Sequence, residues 1–147
     1  NHDILLDFGG YAKGFALSRI KDILLKAEVK HAFVDFGNSS ILAMGHHPYG
    51  ESWKVSIQNP YQSDVIVAEA SLKDQVLTIS GNTPNYNNHI VRPDDGSAQQ
   101  ERKVVSITSE DPLDGEVLST VFMIANEEEK SKIKRNFKTQ NIAEYLV

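Results

Sequence analysis

The apolar residues of this chain change their period along its length, and that change limits what it can fold into. Over residues 11–27, Phe15, Ile20, Ile23, Leu24 and Ala27 fall on one stripe with the spacing of an amphipathic helix. Gly14 inside this window costs up to about 1 kcal/mol against Ala, so the first turn is expected to be loop-like. From residue 31 to residue 80 the period shortens. Residues 31–36, 40–44 and 53–57 read as strands, punctuated by Gly37-Asn38 and Asn59-Pro60, and Trp53-Lys54-Val55-Ser56-Ile57 alternates apolar with polar. Residues 65–72 and 75–80 predict a hairpin turning at Lys73-Asp74. The helical period returns at 115–125, with Asp114 as cap, and at 128–137. Residues 4–8, 104–108 and 142–147 read as further strands. The expected fold is therefore α+β, a mixed or antiparallel sheet packed by two or three helices.

A chain of 147 residues is enough for one such domain, and neither a repeat nor a linker divides it, so residues 1–147 are read as a single unit. The net charge of -5 and the lack of a basic stripe argue against nucleic acid as a partner. The charged run at 127–135 mixes both signs and reads as a solvated helix face. With no cysteine, disulfides, thiolate metal sites and cysteine nucleophiles are excluded. No apolar run approaches the roughly 20 residues needed to span a bilayer. The chain opens at Asn1 without an initiator Met, so sequence upstream is expected.

Three segments carry residue types suited to chemistry. In Asp7-Phe8-Gly9-Gly10-Tyr11-Ala12-Lys13-Gly14, a strand running through paired glycines into a helix offers main-chain N–H groups to a phosphate, with Lys13 as a point charge. The same pattern also describes an ordinary tight β–α turn. Glu116 and Thr120, four apart on the 115–125 helix, share a face and would suit a hard, oxygen-preferring cation such as Mg²⁺. An amphipathic helix with a chance carboxylate and hydroxyl looks the same. His89 precedes a Pro93-Asp94-Asp95-Gly96 turn inside a polar stretch, 81–102, whose length marks it as functional or disordered. His2, His31, His46 and His47 show no metal-ligand spacing.

Together these segments resemble the ApbE family of flavin transferases. The family's D-x-G-G-x-x-K-G-Y/F-A block is met by residues 7–16, and its apolar strand ending in a glycine turn by Phe33-Val34-Asp35-Phe36-Gly37-Asn38. Its W-x-V/I-x-I-x-x-P strand is met by residues 53–60, and its T-S-G turn by Ile79-Ser80-Gly81. Its H-I-I/V-D-P-x-T-G block is met by residues 89–96, and its A-D-A-L-S-T block by Gly115-Glu116-Val117-Leu118-Ser119-Thr120. The resemblance covers the C-terminal half of a family member and implies an ApbE-like, T-fold-like domain that is incomplete without its other half.

The resemblance implies an enzyme that moves FMN from FAD to a Thr or Ser hydroxyl of an acceptor flavoprotein subunit with Mg²⁺, or hydrolyses FAD to FMN and AMP. By position, Asp7, Gly9, Lys13 and His89 would contact FAD. Gly10, Glu116 and Thr120 would hold the metal, and His89 and Glu116 would be catalytic. Family habit adds a periplasmic or lipoprotein setting. Glu116 stands where the family has Asp, and Arg92 and Asp95 where it has Asp and Thr. Without the other half the flavin pocket is expected to be open and FAD binding poor. A diverged module that binds without transferring is the alternative.

Overall fold

Strand β2 (Ser40–Met44) is buried at all five positions, which only the interior of a sheet covered on both faces allows. The computed structural model describes residues 6–137 and 139–147, and places β2 in a five-stranded sheet of order β1-β2-β5-β6-β7. Its other members are β1 (Ala32–Phe36), β5 (Gln75–Gly81), β6 (Lys103–Ser109) and β7 (Thr139–Leu146), and every pairing is antiparallel. Between a mixed and an antiparallel sheet, the chain forms the antiparallel one. Of the expected strand at 4–8, residues 4 and 5 lie outside the described residues, as does His2, and residues 6–8 are not strand.

One face of the sheet carries Ile41, Ala43, Leu77 and Val104, and a separate two-stranded sheet of β3 (Trp53–Asn59) and β4 (Gln62–Leu72) closes over it with Ile57 and Leu72. The predicted hairpin of residues 65–72 with 75–80 does not form. β4 pairs along its length with β3, from Trp53↔Leu72 to Asn59↔Gln62, while β5 lies between β2 and β6. The turn at Lys73-Asp74, where Asp74 takes φ 55°, carries the chain from one sheet to the other. Burial explains the choice. Val76, Leu77 and Thr78 are buried in succession and need cover on both faces, whereas much of β4 is exposed and suits an outer ribbon.

The other face meets three helices. Helix α2 (Pro112–Ile124) buries Leu118, Phe122 and Met123 with Val105, Ile107 and Ile90. Its cap is Asp111, not Asp114: the Asp111 carboxylate accepts from Leu113 N at 2.7 Å, and Pro112 fills the first helical position. Helix α1 (Ala12–Lys26) buries Leu17 against Leu42, Met44 and Val76. The predicted stripe is rotated. Ile20 and Leu24 of it pack against that cluster, Phe15 and Ile23 are exposed, and Gly14 with Leu17 forms the buried edge. Gly14 does not loosen the first turn. It lies inside the helix because α2 passes where a side chain would be.

Helix α3 (Glu127–Lys134) begins with a reciprocal cap between Asn126 and Glu129. Its charged run is not wholly solvated. Lys130 is buried and reaches Glu144 on β7 at 2.7 Å, while Lys103 reaches the same carboxylate at 3.7 Å. That bridge ties α3 to the sheet edge. The polar segment at 82–102 is ordered by contacts of its own. Ile90 joins the core under α2, and Asn82 donates to Gln99 O and Glu101 O. Arg92, a departure from the family pattern, donates to Ile124 O, and Gln99 donates to Met123 O at 2.8 Å. Both cover carbonyls left open at the α2 C-terminus.

Candidate functional site

The glycine turn and helix α2 come together. Gly10 packs against Thr120 so closely that a Cβ there would sit 3.1 Å from Thr120 Oγ1. One turn of helix further on, Lys13 donates from Nζ to Glu116 Oε1, joining the starts of α1 and α2. Gly14 allows this approach, since a Cβ there would fall 2.6 Å from Glu116 Cβ.

Glu116 is 2% exposed, and such a carboxylate is held in a protein interior only with its oxygens satisfied. Lys13 serves Oε1. Ser40 Oγ donates to Oε2 at 2.6 Å from β2. Beside them, Ser119 Oγ donates to Glu116 O at 3.0 Å and meets Ser80 Oγ at 2.8 Å. Thr120 Oγ1 stands 3.4 Å from the same Glu116 O, at the limit of a hydrogen bond. Ser40 was not among the residues singled out from sequence. Its signal is a hydroxyl opening an otherwise apolar run, Ser40-Ile41-Leu42-Ala43-Met44, on the side that faces the helices.

Asp7 has a nearer task than ligand binding: its Oδ1 accepts from Gly9 N at 2.7 Å and shapes the turn. Gly9 is exposed there. His89 lies against Tyr86 with ring centroids 3.9 Å apart and the rings tilted by 30°. Loss of water on burial holds its pKa below the ordinary 6.5, the charge of Asp7 raises it, and that of Lys13 lowers it again. Asp7 and Lys13 are near enough for their charges to act on His89. Asp7, Gly9, Gly10, Lys13, Glu116 and Thr120 thus belong to one neighbourhood, with His89 within reach of its charges, although Glu116 and Thr120 face inward more than a surface-exposed site would require.

Among the described residues no group of three or more His, Cys, Asp or Glu could hold a metal ion. The expected donor set is of another kind: a main-chain carbonyl at Gly10, the Glu116 carboxylate and the Thr120 hydroxyl. All are oxygens, as Mg²⁺ prefers, and the structure brings their residues together. The set fits a hard cation provided that Lys13 gives up its oxygen of Glu116. A cleft of about 720 Å³ lies elsewhere, between the β3–β4 ribbon and the main sheet, lined by Phe33, Lys54, Ile57 and Ile79. None of the expected residues lines it, so size alone does not select the site.

The model of the ApbE family matches residues 1–146. The FAD:protein FMN transferase of Rhodobacter capsulatus is 27% identical over 140 residues, which cover 90% of this chain and 26% of that protein. The enzyme of the same name from Klebsiella pneumoniae (strain 342) is 26% identical over 125 residues, 79% of this chain and 37% of its own length. The ApbE protein of Thermotoga maritima superposes with a TM-score of 0.77 at 24% identity, covering 91% of this chain and 46% of that one. The apo flavinyl transferase ApbE of Pseudomonas stutzeri gives 0.73 at 23%, covering 95% and 50%. These structures speak to the fold. The chain spans 26% and 37% of the two curated relatives' lengths.

Proposed function

The chain belongs to the ApbE family, and we propose that it takes part in moving FMN from FAD to a Ser or Thr hydroxyl of an acceptor protein. The observation that carries this reading is the convergence of the glycine turn on helix α2, with Gly10 against Thr120 and Lys13 on Glu116. The relatives named as FAD:protein FMN transferases give the substrate class.

The transfer forms a bond from the acceptor oxygen to the FMN phosphorus and breaks the bond from that phosphorus to the bridging oxygen, which leaves with AMP. The hydroxyl proton needs a base. With Glu116 buried and both its oxygens engaged, His89 is the better placed of the two expected catalytic groups, being exposed and mostly neutral at pH 7. Gly10, Glu116 and Thr120 would hold Mg²⁺, which when bound supplies charge neutralisation to the phosphates. The glycine turn presents main-chain N–H groups, and Lys13 adds an ammonium. Tyr86, tilted against His89, packs beside the imidazole.

To test this, the full-length protein, with both halves of the flavin pocket, is given FAD, Mg²⁺ and a Thr-bearing acceptor. Flavin fluorescence on the acceptor with matching AMP release is expected, and absence of both sinks the reading. A second reading, a relative that keeps the fold and binds without transferring, is favoured by Glu116 standing in place of Asp and being already held by Lys13 and Ser40. It predicts no AMP under any of these conditions. Location in the periplasm or on a lipid anchor is proposed from family habit. Among the described residues no helix is long and apolar enough to cross a membrane.

The His89 assignment has its own test. A base whose folded pKa is depressed keeps its neutral form down to a lower pH, and its activity falls only as pH drops through that value. The acid limb of the rate profile is therefore expected below 6.5. His89→Asn is expected to flatten that limb and lower kcat by about 10²-fold. A limb unchanged in the variant would assign it to another group.

A further inference from the structure

We infer that Lys13 is an internal counter-ion of Glu116 which an arriving divalent cation displaces, so that cation binding and release of the ammonium toward the substrate's phosphates are one event. This rests on the proposal that Mg²⁺ binds at Glu116, and deepens it.

Both carboxylate oxygens have partners, but the two partners are unlike. Ser40 is 0% exposed and stands on the fully buried strand β2, between β1 and β5 and closed in by the helices. It cannot withdraw. The Lys13 side chain is 31% exposed, against 3% for Glu116, and lies in the first turn of α1 beside the glycine turn. Its long stem can carry the ammonium into water without moving the helix. Ser40 is the fixed arm of the clamp and Lys13 the movable one.

Exchange rather than simple loss follows from burial. Removing one partner from a buried ion pair leaves an uncompensated charge, so the ammonium leaves freely only when another cation takes its place. The converse holds as well. A doubly charged ion and an ammonium crowded onto one carboxylate repel each other strongly in so dry a site, and the singly charged, flexible group is the one to go. The oxygens beside Glu116, the Thr120 hydroxyl and the Gly10 main chain, suit the incoming ion and offer an ammonium less. Lys13 then turns toward the side where its charge already reaches His89. A buried carboxylate is thereby kept folded before the ion comes, and the cation for the phosphates is delivered only once the ion is seated.

Two measurements test this without FAD. Mn²⁺ titration followed by electron paramagnetic resonance at fixed pH is expected to show Lys13→Met binding on the order of tenfold tighter than the parent, because the competitor is gone. In the unaltered protein, the rate at which an acetylating reagent modifies Lys13, read by mass spectrometry, is expected to rise several-fold on adding Mg²⁺. If Lys13→Met does not fold, the acetylation result decides alone. Equal or weaker Mn²⁺ binding by the variant, or Lys13 reactivity indifferent to Mg²⁺, overturns the inference and leaves Lys13 a structural link between helices. AMP release with an unmoved Lys13 sinks only this inference. Exchange without AMP release sinks only the transferase reading.

Discussion

Glu116→Gln is expected to lower FAD cleavage by about 10³-fold while the protein melts within a few degrees of its parent. The two halves of that result have separate causes. The amide keeps the volume of the side chain and can still meet Ser40 in the position now held at 2.6 Å, so the packing of α2 on β2 survives. Lys13, already 31% exposed, turns its ammonium to water and leaves no buried charge behind. Replacing a buried ion pair by neutral groups of similar size is often nearly neutral for stability. Function has no such refuge. An amide brings no negative charge to a divalent ion, and under the proposed function the phosphates would lose the neutralisation that bound Mg²⁺ would supply. Glu116→Asp, which restores the residue usual in the family, is expected to keep activity within about tenfold, because charge is retained and only reach is lost. The rate of AMP release at saturating Mg²⁺, set beside melting curves from circular dichroism, separates these outcomes. A Gln variant as active as the parent would remove Glu116 from the chemistry.

Most of the fold was legible because its elements announce themselves locally. The β2 run, the Trp53 alternation and the α2 period each fix an element from its own residues. What was not legible depended on neighbours distant in sequence. The partner of β4 is such a case: Lys73-Asp74 reads as a hairpin turn, yet the strands it joins belong to different sheets, because Val76, Leu77 and Thr78 need cover on both faces. The rotation of α1 is another. Phe15, which hydrophobic spacing alone assigns to a core, is exposed and stacks on Tyr11 at the surface, with Phe8 tilted against Tyr11. For the site, motif order brought out Gly10, Lys13, Glu116 and Thr120, whose contacts span more than 100 residues. Ser40 escaped because no local pattern marks a single serine as the partner of a distant carboxylate.

Gly14→Ala tests the close approach on which the site depends. Adding a Cβ here brings two opposed effects. In an exposed helix, Ala in place of Gly gains up to about 1 kcal/mol of propensity. Against that, the new methyl would lie 2.6 Å from Glu116 Cβ, 2.7 Å from Pro112 O and 3.0 Å from Leu113 Cα. The latter two are main-chain atoms of a capped helix start and cannot rotate aside. Overpacking of this kind costs about 1–3 kcal/mol or more, and clashes with backbone belong at the upper end. The clash wins. A net loss of about 2 kcal/mol is expected, lowering the melting temperature by roughly 4–8 °C. Because the helices must part at the residue next to Lys13, the Lys13–Glu116 contact is expected to go with it, and AMP release to fall even well below the melting point. Gly115→Ala is the control. Its Cβ would meet Ser109 Oγ at 2.7 Å and Thr78 Oγ1 at 2.9 Å, both side-chain hydroxyls. Turning Ser109 aside gives up one hydrogen bond to Asp111 O, about 1 kcal/mol, which helix propensity roughly offsets. If Gly14→Ala melted with its parent while Gly115→Ala did not, the two helices would not be held by the contact described, and the place of Glu116 beside the glycine turn would need another cause.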